Sequence, residues 1–282
     1  MAEAPRRIWL CADDYGIAPG VNEAIRALIE RRRINATSVM VTAPSLTNKS
    51  AQALSALNAG DKRAALGLHV TLTAPFSPVT DGFTPLRDEA FPATNEMMRL
   101  AMTRRLSPEK LTAEIGTQLR LFKDAFGRLP DFFDGHQHVH LFPQVREALL
   151  KVVTDSAPRA WVRQCGRARG TRRWRDRKGL VLDLLSVRFR SKAARLGIAT
   201  NPAFAGSYDF TPQADYAALF PRFLDGLPDG GLVMCHPGLV DQKLKDLDSL
   251  TDLREREFAY LESDEFSAAL AERGLALAQP AP

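Results

Sequence analysis

Cysteine is scarce in this chain of 282 residues. Cys11, Cys165 and Cys235 are odd in number, far apart, and never form a C-x-x-C pair. Neither a disulfide framework nor a structural zinc knuckle is expected, and a reducing compartment fits better. Cys11 and Cys235 stand inside apolar runs, where small buried thiols are common. Long hydrophobic stretches are also missing. No apolar run reaches the roughly 18 residues of a membrane span. No apolar leader precedes the first strand-like segment, so export is not expected and the expected location is cytoplasmic. Tryptophan is rare, and Trp161 and Trp174 are not interleaved in a stacking motif. A nucleic-acid partner is therefore not expected.

What is present is an ordinary apolar content of 45%, enough for a full globular core. The net charge of +5 is unevenly spread. Arg159 to Arg195 carries 13 Lys/Arg against two Asp, a local excess of +11, while the remainder is near −6. One local anionic partner, such as a phospholipid surface, suits this better than a generally nucleic-acid-coating protein.

Strand-like and helical segments alternate along the chain. Arg6 to Ala12, Thr37 to Thr42, Ala64 to Leu72, Asp131 to Gly135, Ala160 to Gln164 and Gly231 to Cys235 read as short buried strands. Helices are expected over Val21–Arg33, Ser45–Leu57, Gln144–Val153 and most of Asp252–Glu272. A further one over Ser107–Phe126 has Ser107 as N-cap, Pro108 in the first turn and Gly127 as stop. Residues 74–102 lack clear periodicity and read as a long loop or lid with short helical pieces. This alternation implies an α/β fold with a mostly parallel sheet in one domain spanning 1–282, for which a barrel of about 250 residues is a precedent.

Histidine is used sparingly, and all five copies stand in motif-like settings. Three alternate in Asp134-Gly135-His136-Gln137-His138-Val139-His140, and the others are His69 in Leu-Gly-Leu-His and His236 before Pro237-Gly238. Histidine binds divalent metals and moves protons near neutral pH. Alternation points the three side chains to one side if the segment stays extended, and a local bend is needed for neighbours to share one ion. The expected division is one metal ligand, one pocket residue, and His140 as a structural hydrogen-bonding residue. Asp13-Asp14 at the end of the first strand reads either as a turn with a helix cap or as two carboxylates that divide metal binding and proton transfer. His69, taken alone, reads more readily as a satisfied core histidine. His236, forced into a turn by Pro237, can face a site as a general acid.

Ala12 to Gly16, Leu66 to Leu72, Asp134 to Pro143 and Met234 to Pro237 resemble, in order, the motifs of the YdjC/ChbG carbohydrate deacetylase family. The resemblance implies a distorted TIM-like (β/α) barrel and one divalent metal ion. It implies Asp14, His69 and His136 as ligands, Asp13 as catalytic base and His236 as general acid. His138 would line the pocket, and Arg163 would orient base or substrate. Spacing leaves the roles of Asp13 and Asp14 interchangeable. Mixed His/Asp ligation puts Zn first, with Mn, Co or Ni as alternatives and Mg less suited.

The basic insert at about 165–197, followed by Asn201 to Phe210, is similar to the hopanoid-biosynthesis HpnK branch. That similarity implies an N-acetylglucosaminyl hopanoid as substrate, with Tyr208 as a further substrate-binding residue. Gly179 to Gly197 mixes apolar and basic residues. It reads either as a helix lying on an anionic membrane at the inner face of the cytoplasmic membrane, or as an ordinary barrel helix with a solvated basic face. Three other readings stay open: a deacetylase of soluble N-acetyl-oligosaccharides, a metal-dependent phosphoesterase or amidohydrolase, and a non-catalytic lipid or carbohydrate binder. Phosphoesterase and amidohydrolase barrels usually carry H-x-H after the first strand, where this chain has Asp-Asp. A binder has no need of Asp13 beside a metal ligand.

Overall fold

The computed structural model describes residues 4–168 and 177–279. Its strands are β1 (Arg6–Tyr15), β2 (Ala36–Val39), β3 (Ala65–Val70), β4 (Phe132–Gly135), β5 (Trp161–Val162), β6 (Phe204–Ala205), β7 (Leu232–Cys235) and β8 (Leu275–Leu277). Between them run α1 (Pro19–Glu30), α2 (Asn48–Ala56), α3 (Thr94–Met102), α4 (Pro108–Phe126), α5 (Val145–Ser156), α6 (Arg177–Arg195), α7 (Tyr216–Leu224), α8 (Gln242–Leu247), α9 (Asp252–Glu262) and α10 (Asp264–Ala271).

Every pairing between these strands is parallel, in the order β5-β4-β3-β2-β1-β7-β6, with β8 added to β1. Parallel neighbours need crossovers, and the helices supply them. The sheet is a curled, open half-barrel in a single α/β domain, as the alternation predicts. β1 sits centrally because its residues Ile8 to Ala12 are nearly all apolar and it is covered on both faces.

α1 shows why its segment is helical. Val21, Ile25, Leu28 and Ile29 form one stripe, and all are fully buried. Each such side chain contributes roughly 1.5–3 kcal/mol on burial. α4 starts and stops as expected: the Ser107 hydroxyl accepts from Lys110 N at 3.2 Å, and Gly127 takes the left-handed conformation at φ 67°.

Several expectations change. β1 runs on to Tyr15, so Asp13 and Asp14 lie within its last residues rather than after it. The segment 74–102 is irregular up to Ala93 and then forms α3. The expected strand 160–164 pairs only through Trp161 and Val162. Part of the basic insert, 169–176, lies outside the described residues, and its continuation is the helix α6. β6, β8 and α8 are too short to show a period; α7 is not among the expected helices, although Tyr216, Phe220 and Leu224 form a buried stripe on it, interrupted by Pro221.

Candidate active site

In a regular strand, neighbouring side chains point to opposite faces. The register between β1 and β2 slips between Ala12 and Tyr15, and Asp14 has a left-handed backbone at φ 71°. This bulge brings both carboxylates to one cavity, whose wall includes Asp13 and Asp14. The cavity measures about 720 Å³ and also holds His69, His136, His138 and His236. It lies at the carboxyl ends of β1, β3, β4 and β7, the usual position for chemistry in such sheets.

His69 stands in register with Asp134 on β4. Its Nδ1 is 2.7 Å from Asp134 Oδ1, and its Nε2 is 3.3 Å from Asp14 Oδ1. His136 brings its Nδ1 to 3.0 Å from that same Asp14 oxygen. Donor atoms of these three buried residues lie within 4.8 Å of one another. Neighbouring ligands of one zinc-like ion are about 3.0–3.4 Å apart when each bond is about 2.1 Å. The donor set therefore fits one divalent cation. The Asp134–His69 bond is the outer support that orients a metal-binding imidazole.

Asp13 is held differently. Arg163 donates to both its oxygens, Nη1 to Oδ1 and Nη2 to Oδ2, each at 2.7 Å. Nη2 also lies 3.1 Å from Asp134 Oδ2. Ser38 adds a hydroxyl bond to Asp13 Oδ1 at 3.2 Å. A second acidic group, Cys11 with Asp13 and Asp134, thus already faces a cation in Arg163.

Charge and burial compete throughout. Burial pushes the Asp13 carboxyl up, but Arg163, joined by His69 and His236, overcomes it and the net shift is down. Asp14 is likewise lowered, with Arg254 and His136 overcoming burial. Burial pulls His69 down, yet Asp134 and its neighbours raise it to about 10. A site that stabilises an imidazolium so strongly also favours a metal cation. Burial holds His138 near 3 and His236 near 4, so both are neutral at pH 7 without substrate. His236 Nδ1 is buried with no protein partner among the described residues.

The extended reading of the histidine run does not hold. β4 ends at Gly135, and 136–141 form a tight 3₁₀ segment kinked by left-handed Gln137 and His138. His136 turns to the Asp14 side and His138 to another part of the cavity wall. His140 is fully buried, with Nε2 bonded to the Arg163 carbonyl at 2.9 Å. Arg163 is also fully buried and lies against Asp13 rather than on the cavity wall. Tyr208 does reach the wall, but its hydroxyl donates to Glu257 at 2.7 Å.

Tyr208 arrives there because Gly206, at φ 99°, lets the chain press against β7. A Cβ on Gly206 would fall 2.1 Å from the Met234 carbonyl oxygen.

Sequence reasoning assigned no role to Asp134, Arg254 or Glu257. Arg254 donates from Nη2 to Asp14 Oδ2 and Asp248 Oδ2, each at 2.6 Å. Glu257 accepts from Tyr208 and from the His236 main-chain N–H at 2.5 Å. Burial raises Glu257 to about 7 against the pull of those two bonds. A signal for both existed: Arg254 and Glu257 fall on the buried stripe of α9 with Leu253, Tyr260 and Leu261. Charged residues at such stripe positions need partners.

Comparison with known proteins bears on the whole chain. It is 26% identical over 276 residues to a chitooligosaccharide deacetylase of Citrobacter koseri, covering 96% of this chain and 97% of the relative. Its fold is similar to that of a candidate cellobiose-phosphate cleavage protein of Enterococcus faecalis, with TM-score 0.72, 20% identity and 98% of each chain covered. A CE4 esterase of Streptococcus mutans is similar at TM-score 0.50 and 14% identity, covering 97% of this chain and 85% of that one. The family model described as YdjC-like protein matches residues 7–272, and the chain belongs to the YdjC-like family.

Proposed function

We propose that this protein is a metal-dependent N-deacetylase that hydrolyses the acetamide of an N-acetylglucosaminyl group to acetate and a free amino sugar. The observation that carries this reading is the convergence of Asp14, His69 and His136 beside an Arg163-held Asp13. A simple binder has no comparable use for a second, Arg163-held carboxylate beside the ligand set. The similarity to a chitooligosaccharide deacetylase supports an N-acetylated sugar as the substrate class.

Asp14, His69 and His136 would hold the ion. When bound, a divalent ion there supplies Lewis acidity, polarising the amide carbonyl and acidifying a water. Asp13 takes the proton of the attacking water. Arg163 keeps Asp13 ionised and aimed, so it is a weak base that serves an acidified water. His236 delivers a proton to the departing amine. Its neutral resting state means that it gains that proton during turnover, from the water by way of Asp13. His138 contributes a neutral wall beside the sugar.

The acceptor of the sugar is read as a lipid, the N-acetylglucosaminyl hopanoid of the HpnK branch. One side of the cavity is apolar, with Met98, Phe142, Val181, Leu182 and Leu185. On α6 this surface continues outward through exposed Leu184 and Val187, followed by Arg188 and Arg195. An apolar strip leading to cations suits a lipid-bearing substrate at an anionic membrane surface on the cytoplasmic side. No helix among the described residues is long and apolar enough to cross a membrane.

The test is acetate release from N-acetylglucosaminyl hopanoid and from N,N′-diacetylchitobiose, after metal analysis of the purified protein. Faster turnover of the hopanoid supports the full reading. Turnover of chitobiose alone removes the lipid, and no acetate from either with metal bound overturns the deacetylase.

A further inference from the structure

We propose that Glu257 is a positioning residue for proton delivery, fixing His236 and Tyr208 together through one buried carboxylate. The proposal rests on the deacetylase reading above, in which His236 protonates the amine.

His236 is the first residue after β7, so its N–H leaves the strand ladder. Pro237 follows, lacks an N–H, and restricts His236 to extended backbone. The turn therefore has few main-chain donors by which it can be held. α9 takes two of them. Glu257 Oε2 accepts the His236 N–H at 2.5 Å, and the Arg254 carbonyl accepts the Gly238 N–H at 3.1 Å.

The other Glu257 oxygen holds the wall behind the imidazole. Oε1 accepts from the Tyr208 hydroxyl at 2.7 Å. Tyr208 packs on Phe210 with ring centroids 4.0 Å apart, and Phe210 meets the His236 ring at 5.4 Å with planes 82° apart. One side chain thus fixes both the main chain of His236 and the aromatic pair against its ring. Glu257 is fully buried. A carboxylate placed there with only two neutral donors is costly, and an apolar side chain would fill the space without that cost. A role in placing His236 accounts for it.

Glu257 bonds no metal-binding residue and does not itself line the cavity; it acts on the wall only through Tyr208 and His236. Its loss should leave metal binding and acetyl binding alone and harm only the step that needs an oriented acid. An amide needs its leaving nitrogen protonated, whereas the phenolate of p-nitrophenyl acetate leaves without help. The ratio of the two activities separates positioning from general damage.

The experiment uses the full-length, metal-loaded chain, with acetate release from the better N-acetylglucosaminyl substrate compared with p-nitrophenyl acetate hydrolysis. Glu257→Ala is expected to lower amide kcat about 10- to 100-fold, part of what a general acid contributes. KM, metal content and ester turnover should stay within about threefold of wild type. Glu257→Gln keeps an acceptor for His236 and a donor for the Tyr208 oxygen, so it should restore most amide turnover. Glu257→Met keeps the bulk without an acceptor and replaces the alanine variant if that one does not fold; the amide-specific loss should persist.

Equal loss of amide and ester turnover overturns the proposal, as does a Gln variant as poor as Ala or Met. A wild-type chain that hydrolyses the ester but never the amide instead overturns the deacetylase reading itself.

Discussion

Arg163 and Asp13 form a doubly bonded ion pair, two parallel contacts of 2.7 Å, with both residues buried. Their strands are not neighbours in the sheet, and the pair links β1 to the chain just beyond β5. A guanidinium matches a carboxylate in this two-pronged way, which fixes direction as well as charge.

Replacing Arg163 with Met should leave Asp13 buried without its cation. Breaking a buried pair costs about 3–5 kcal/mol. In wild type the folded pKa lies below the ordinary 3.8, so this stability is present above that pH and lost as pH falls through the folded value. In the variant, burial is opposed only by the weaker pull of His69 and His236, so the folded pKa rises and less of this stability remains at neutral pH. Urea unfolding of metal-free protein should show a larger gap between variant and wild type at about pH 7 than at about pH 4. An equal gap at both would refute the assignment.

Asp13→Asn and Asp14→Asn should fail in different ways. The first keeps the bound metal and loses turnover by about 10²- to 10⁴-fold, the usual contribution of a general base. The second loses a ligand and with it metal retention. Metal content measured beside acetate release distinguishes them. The reverse outcome would exchange the two roles.

His140 should make the fold sensitive to mild acid. Burial, reinforced by Arg163, holds its pKa well below 6.5. The unfolded chain therefore takes up the proton first. Stability is full above pH 6.5 and declines as pH falls below it, by at most about 1.4 kcal/mol per pH unit for one histidine. His140→Gln retains an N–H for the Arg163 carbonyl and removes the titration. Urea unfolding of the metal-free variant between about pH 7 and 5 should show a shallower slope than wild type. Parallel slopes would clear His140 of this role.

The exposed part of α6 should matter only for a lipid-bearing substrate. Leu184→Ser with Val187→Ser removes two exposed apolar side chains that do not line the cavity. Burial of such side chains contributes roughly 1.5–3 kcal/mol each when complete, so vesicle binding and hopanoid turnover should fall about tenfold or more. Diacetylchitobiose turnover should be unchanged. Cosedimentation with phosphatidylglycerol vesicles provides the binding measurement, and wild-type levels of vesicle binding would remove the membrane contact.

Much of the fold is legible in the chain because its signals are local. The stripe Val21-Ile25-Leu28-Ile29 marks α1, and Ser107 with Gly127 brackets α4. Short strands such as Phe204–Ala205 carry too few residues to show a period. The histidine run misleads for another reason. Alternation predicts one face only for extended backbone, and left-handed Gln137 and His138 break that premise. His140, read from sequence as structural, does bond a carbonyl inside the protein.

The sequence alone determined which chemical groups are available: two adjacent carboxylates, five histidines in motif-like settings, and strands whose ends carry most of them. Local preferences of backbone and side chain are enough for that. Tertiary structure decided which of those groups meet. The bulge at Asp14 turns neighbouring carboxylates to one cavity, Arg163 and Arg254 reach them from 150 and 240 residues away along the chain, and Glu257 reaches the His236 N–H from 21 residues away. Such meetings depend on strand register and helix docking, which arise from long-range packing rather than from spacing along the chain.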